Sequence, residues 1–255
     1  MSGIATNNDV IRRIDPSWRF PSGTLEVLNP FQREFCALEF ARPLDVYVRR
    51  CRAMGLAGLG TVLDAGCGMG QWSIAASMCN DAVRGFDLDS VRLFTARAVA
   101  EHLGRSALSF TYGSLNAIPA DDSSADAVLC YSVLMFADMD EALREVRRVL
   151  RPGGRFLVMV DLWRWHWSRM RSGVLSPTEF AKMGVKRALG RRARILFGEQ
   201  FFLRRLAAHG FRVHQAGNEG CVTFSERAPD PDMIFFPEPD IRAPRLLEVA
   251  AYCTK

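Results

Sequence analysis

Asp64, Gly66, Gly68 and Gly70 occupy alternate positions after the apolar pair Val62-Leu63, and Asp87 follows Asp64 by 23 residues. Glycine has no Cβ, so a loop rich in it turns sharply and lets a ligand come close to the backbone. At the carboxyl end of a parallel strand such a loop is a nucleotide-binding crevice. A carboxylate at the tip of the next strand accepts hydrogen bonds from both hydroxyls of a ribose. The spacing is not that of a dinucleotide fingerprint, G-x-G-x-x-G, because Gln71 stands where its third glycine belongs. Asp64, directly before the loop, would repel a pyrophosphate but not a cation. The ligand implied is a nucleoside carrying positive charge.

These residues need a strand, a turn, a helix and a second strand. The sequence predicts strands near 61–65, 82–87, 108–112, 126–131 and 154–160, with helices near 70–79, 90–103 and 138–150 between them. Alternating elements with nearly continuous apolar strands mean a parallel sheet covered on both faces. The 138–150 helix is the best punctuated: Asp138 as cap, Glu141 three residues on, a stripe of Leu143, Val146, Val149 and Leu150, then Pro152-Gly153-Gly154. Upstream, Asn29-Pro30 with Gln32 reads as a capped helix start, and Pro43 breaks this segment into two helices. Residues 1–28 read as irregular. Downstream, a helix over 199–209, a strand over 211–216 and a last strand from Leu247 to Cys253 complete the pattern.

Together, Asp64-x-Gly66-x-Gly68-x-Gly70, Asp87 and Arg148-Val149-Leu150-Arg151-Pro152-Gly153-Gly154 resemble the class I S-adenosylmethionine-dependent methyltransferases. Gly113-Ser114-Leu115-Asn116-Ala117-Ile118-Pro119 and Ser124-Ala125-Asp126-Ala127-Val128 are similar to the family's adenine-contact loop and fourth strand. The nearest pattern is the small-molecule group that includes ubiquinone- and menaquinone-biosynthesis enzymes. The resemblance covers roughly 60–161, with weaker agreement at 199–216. It implies a Rossmann-like, doubly wound α/β fold with a mostly parallel seven-stranded sheet and an antiparallel last strand. N-terminal helices over 1–57 would cover the active site. The methyltransferase domain would run over 58–255 with lid-like insertions at 162–198 and 218–245.

The resemblance also assigns roles. The loop Gly66, Cys67, Gly68, Gly70 would pass under the methionine part of S-adenosylmethionine, and Asp64 would help hold its ammonium. Asp87 would bind the ribose, Leu88 would pack on the adenine, and Ser114 and Leu115 would meet the adenine edge. Tyr131 and Ser132 would lie near the sulfonium. Relatives usually have Asp where Ser114 stands. Many carry a histidine soon after the fourth strand, where this chain reads Val133-Leu134-Met135-Phe136.

A methyl on a sulfonium is electrophilic, and transfer needs a nucleophile aligned behind it with water excluded. A hydroxyl acceptor also needs a base. Asp161, ending the fifth strand, and His166, set among Trp163, Trp165 and Trp167, are the candidates by position. His209 at a helix end is explained by the helix dipole; His214 and His102 lie on a strand and at a helix end. Methyl transfer requires no metal, and no ligand cluster stands in the sequence. The seven cysteines include no Cys-x-x-Cys pair, so neither a zinc site nor a disulfide framework is indicated.

The chain has 255 residues and a net charge of +5, yet residues 163–212 hold ten Arg and two Lys against Glu179 and Glu199. With the tryptophans, this suits a bulky or anionic acceptor: a glycan, or another hydroxylated small molecule receiving the methyl on oxygen. The basic segment also permits RNA or protein methylation. Against that, Tyr131-Ser132-Val133-Leu134 is unlike the Asn/Asp-Pro-Pro-aromatic motif of many amino-methylating relatives, which makes nucleic acid an unfavoured partner. A catalytically silent cofactor-binding scaffold is a third reading. No apolar run approaches the ~20 residues of a membrane span, and Met1 to Asp15 has no apolar signal core. A cytoplasmic location is expected, with peripheral membrane contact open.

Overall fold

The computed structural model describes residues 7–21, 23–105, 108–171, 176–178, 181–182, 198–224, 234–235 and 246–254. The chain divides into two compact units, Met1–Ser114 and Leu115–Lys255. The insertions expected at 162–198 and 218–245 lie largely outside the described residues.

In the first unit β1 (Thr61–Ala65), β2 (Ala82–Asp87) and β3 (Leu108–Tyr112) run parallel in the order β3-β2-β1. Val62, Leu63, Val83 and Phe86 are buried, as strands covered on both faces must be. Ala65 pairs with Phe86, which sets the tips of β1 and β2 side by side. The crossovers carry α4 (Gln71–Ala76) and α5 (Ser90–His102); Asp89 caps α5 by accepting from the Val91 and Arg92 amides.

Among the described residues, three α-helices precede this sheet: α1 (Asn7–Arg13), α2 (Pro30–Glu39) and α3 (Leu44–Ala53). The box expected at the start of α2 is formed: the Gln32 amide donates to Asn29 Oδ1 at 2.9 Å, and the Asn29 amide to Gln32 Oε1 at 3.1 Å. The expectation of irregular chain over 1–28 is corrected by α1 and by a 3₁₀ turn at Pro16–Trp18. Trp18 is fully buried, edge-on to Phe40 at 4.8 Å and to Tyr47 at 5.4 Å; Tyr47 in turn meets Trp72 of α4 at 5.0 Å. Burying such rings contributes roughly 1.5–3 kcal/mol each, which secures this segment without a periodic apolar pattern.

The second unit contains β4 (Ala125–Tyr131), α6 (Met139–Val149), β5 (Leu150–Asp161), α7 (Trp163–Arg171), α8 (Glu199–Ala208), β6 (Phe211–Asn218) and β7 (Leu246–Cys253). The strand order is β4-β5-β7-β6. β4 and β5 are parallel; β7 is antiparallel to both β5 and β6. The seven strands of the two units realise the expected mostly parallel sheet with an antiparallel last strand. Asp138 caps α6 as its spacing predicted, accepting from the Asp140 and Glu141 amides. Helix α7 falls where the sequence pattern predicted none. Trp163, Trp165 and Trp167 recur every second residue, so they carry no helical period; the residue that α7 buries is His166, one turn beyond buried Leu162. Among the described residues, no helix is long and apolar enough to cross a membrane.

Candidate functional site

In the first unit the chain leaves β1 at Asp64-Ala65 and turns through three left-handed glycines: Gly66 (φ 72°), Gly68 (φ 56°) and Gly70 (φ 86°). The amides of Gly66 and Cys67 donate to the Phe86 carbonyl at 2.8 and 3.0 Å, stitching the loop to the end of β2. The glycines have separate reasons. A Cβ on Gly68 would meet nothing within 4 Å, so this glycine faces open space. A Cβ on Gly70 would lie 2.8 Å from Phe110 and 2.9 Å from Ala96, so this one lets the helix pack on the sheet.

Asp87 closes the loop from the other side. Its Oδ2 accepts from the Gly68 amide at 2.9 Å and its Oδ1 from the Asp89 amide at 2.9 Å. Each oxygen keeps acceptor capacity for a hydroxyl. Leu88, the next residue, is 55% exposed, an apolar surface suited to a flat ring. Ser114 is half-buried and Leu115 buried.

Asp64 is buried, and its Oδ2 accepts from Ser73 Oγ at 2.5 Å. Burial pushes its carboxyl up to about 7, with the Asp87 charge adding to the effect and the Ser73 bond opposing it. Cys67 is buried, and burial beside Asp64 and Asp87 holds its thiol well above the ordinary range, which makes it a poor nucleophile.

Two side-chain contacts that the sequence did not signal complete this half. Gln71, first residue of α4, donates its side-chain amide to Glu39 Oε2 at the end of α2. Gln32, at the other end of α2, donates to Asp89 Oδ2 at 3.1 Å. Burial pushes the Glu39 carboxyl up to about 7 against the attraction of Arg92. Nothing in the spacing around Glu39 marks it, since the contact crosses 32 residues. Open space over Gly68, hydroxyl acceptors on Asp87, exposed Leu88 and desolvated acids beside the loop fit an adenosyl cation. Here the residues suit S-adenosylmethionine.

In the second unit the carboxyl ends of β4 and β5 gather the remaining candidates. Tyr131 is half-buried and donates from Oη to Glu219 Oε1 at 2.6 Å. Glu219, fully buried, also accepts from the Phe235 amide at 3.0 Å. Glu248, likewise buried, accepts from the Gly220 amide at 2.9 Å. The pairing Tyr131–Met159–Glu248 lines these positions up across β4, β5 and β7. Ser132 sits at φ 58°, a conformation unusual for serine. Its Oγ lies 3.2 Å from Asp161 Oδ1, to which it donates. Asp161 is 5% exposed and His166 only 1%, with His166 Nε2 3.8 Å from Asp161 Oδ2. Ser132, Asp161 and His166 therefore adjoin one another. The other histidines have settings of their own: His209 pairs with Asp140 at 2.9 Å, His214 stacks on Phe224, and His102 ends α5. Among the described residues, no group of three or more His, Cys, Asp and Glu could hold a metal ion.

Comparison with known proteins agrees with this chemistry. A family model described as a methyltransferase domain matches residues 62–154. The uncharacterized methyltransferase YcgJ of Bacillus subtilis (strain 168) is 34% identical over 99 residues, 38% of this chain and 39% of that protein. The ubiquinone/menaquinone biosynthesis C-methyltransferase UbiE of Caulobacter sp. (strain K31) is 44% identical over 57 residues, 22% of this chain and 23% of that one. The matched part spans well under half the length of these curated relatives. A solved structure of geranyl diphosphate methyltransferase in complex with S-adenosylmethionine superposes with a TM-score of 0.59 at 17% identity, covering 94% of this chain and 95% of that one. At that identity the likeness is one of fold. The matched stretch takes in the glycine loop, Asp87, all of β4 and the first residues of β5, and over these residues the chain carries a methyltransferase domain similar to those of S-adenosylmethionine-dependent enzymes.

Proposed function

We propose that the protein transfers the methyl group of S-adenosylmethionine to a hydroxyl of a small-molecule or glycan acceptor. The observation that carries this reading is the set of oxygen groups at the ends of β4 and β5: Tyr131 on Glu219, and Ser132 on Asp161. Bound S-adenosylmethionine supplies an electrophilic methyl. The Gly66–Gly70 loop and Asp64 hold its methionine end, Asp87 its ribose, and Leu88, Ser114 and Leu115 its adenine. Tyr131 and Ser132 face the reacting centre in this reading.

The acceptor's proton must leave as the new bond forms. His166 is too enclosed to touch an acceptor, so it acts through Asp161, 3.8 Å away. Asp161 is the base, reached by way of the Ser132 hydroxyl, and His166 steadies its charge. Tyr131, fixed by Glu219, orients the acceptor. The Arg-rich stretch over 163–212 favours an anionic or bulky acceptor, though 183–197 falls outside the described residues. Its charge would equally serve RNA or protein as acceptor.

Methylation at carbon is the second reading, favoured by the likeness to UbiE. The test is transfer of labelled methyl to a panel of sugars, phenols, quinols, isoprenoid diphosphates, RNA and protein, with the new bond assigned by NMR. A methoxy product supports the first reading and a C-methyl product the second. RNA or protein as sole acceptor overturns both, and labelling of nothing that is offered leaves the scaffold reading.

A further inference from the structure

We propose that Glu39, carried in by the N-terminal helix α2, binds the ammonium of the cofactor's methionine moiety together with the Gln71 side-chain carbonyl and Asp64. The inference rests on S-adenosylmethionine as the cofactor. It adds a ligand from outside the matched stretch, which begins only at residue 62.

Gln71 is the first sign. It is 6% exposed, and its amide nitrogen is engaged by Glu39. Its Oε1 is buried without a hydrogen-bond partner. A buried acceptor left unsatisfied is costly and rare, and it calls for a donor. A ligand beside the glycine loop would supply that donor, since Gln71 directly follows Gly70.

The second sign is charge. Glu39 and Asp64 both bond to the first turn of α4, one through Gln71 and the other through Ser73. Glu39 faces Gln71 of α4, Arg92 of α5 and Cys36 of its own helix. Asp64 faces Ser73, Asp87, Cys51 and Cys67. Apart from Arg92, whose pull does not offset burial at Glu39, these neighbours bring no positive charge. Both carboxyls keep their protons up to about pH 7. An ammonium offers three N–H donors and one positive charge. It answers the Gln71 carbonyl and both acids at once, whereas the methionine carboxylate would be repelled from them.

The third sign is reach. Gln32 meets Asp89, two residues from the ribose acid Asp87, and Glu39 meets Gln71 at the loop. Glu39 lies seven positions beyond Gln32 on the helix, about 10 Å at 1.5 Å per residue. That is of the order of the single-bonded chain linking ribose to α-amino group, so α2 lies along the cofactor.

Calorimetry with two probes tests the proposal. S-Adenosylhomocysteine carries the amino acid; 5′-methylthioadenosine keeps adenine, ribose and thioether but has no amino acid. In Glu39→Gln, S-adenosylhomocysteine binding at pH 8 should weaken about tenfold or more, the scale of one lost charge-assisted bond. Methylthioadenosine should stay within about twofold of the unsubstituted protein. Near pH 6.5 the unsubstituted protein should release protons on binding S-adenosylhomocysteine, read from the dependence of heat on buffer, and Glu39→Gln should release fewer. Equal weakening of both probes overturns the proposal, because Glu39 then only supports the fold of α2. Unchanged binding of both probes overturns it too. If the unsubstituted protein binds neither probe, it is the cofactor assignment that fails.

Discussion

Tyr131 Oη and Glu219 Oε1 lie 2.6 Å apart although 88 residues separate them in the chain. The bond joins the tip of β4 to the segment beyond β6, and Glu219 carries it on to the Phe235 amide. A short bond from a phenol to a buried carboxylate is strong and directional. Tyr131→Phe should therefore cost about 1–3 kcal/mol of stability, measured as a shift of the urea midpoint at constant slope. A midpoint that does not move would show the bond to be idle.

Asp87 holds the loop, since it accepts from the Gly68 and Asp89 amides, and the proposed function gives it the ribose as well. Asp87→Ala should weaken S-adenosylhomocysteine binding by about 10- to 100-fold, equivalent to roughly 1.4–2.7 kcal/mol. The far-UV spectrum should remain that of a folded α/β protein. Unchanged calorimetric affinity would remove the ribose assignment.

Gly68 and Gly70 should part company on substitution by alanine. Gly70→Ala drives a Cβ to 2.8 Å from Phe110 and 2.9 Å from Ala96 and strains a φ of 86°, which should cost on the order of 2–4 kcal/mol. Gly68→Ala meets no atom and should cost only the left-handed strain, about 1–2 kcal/mol. Its larger effect should be on cofactor affinity. Thermal melts and calorimetry on the same two variants separate the effects.

Stability of the cofactor-free protein should fall as pH rises. Asp64 and Glu39 have folded pKa values near 7 against about 4 in an unfolded chain. Between those values the folded state binds more protons, so it is favoured at low pH and loses this advantage as pH rises through 7. The melting temperature should be higher at pH 5.5 than at pH 8, and Asp64→Asn should flatten the slope. S-Adenosylhomocysteine, by placing a cation against the acids, should raise the pH 8 value most. A flat profile in the unsubstituted protein would contradict the burial of these charges.

His166→Ala should act on both structure and chemistry. Its ring is enclosed, so deletion leaves a cavity worth roughly 2 kcal/mol. With an acceptor in hand, kcat should fall much more than acceptor binding, because Asp161 loses its neighbour and not its place. Equal loss in both would leave His166 with packing alone.

The residues that act through local rules were readable in the sequence. Asp64, the three glycines and Asp87 belong to one strand–turn–helix–strand unit, whose register puts them together automatically. The caps at Asn29 and Asp138 likewise need only a few neighbouring residues. What escaped were contacts without a local period. Trp18 is buried by Phe40 and Tyr47, though the chain around it alternates in no regular way. The burial of His166 has no local period to announce it, because the tryptophans around it alternate while the helix turns. Glu39 and Glu219 matter only through partners 32 and 88 residues away. Acids in a charged sequence read as solvated until a fold encloses them.

Helix α2 is pinned at Gln32 to Asp89 and at Glu39 to Gln71. With Glu39 on the cofactor as proposed, a protein trimmed of that helix should exchange S-adenosylhomocysteine faster while holding it less well.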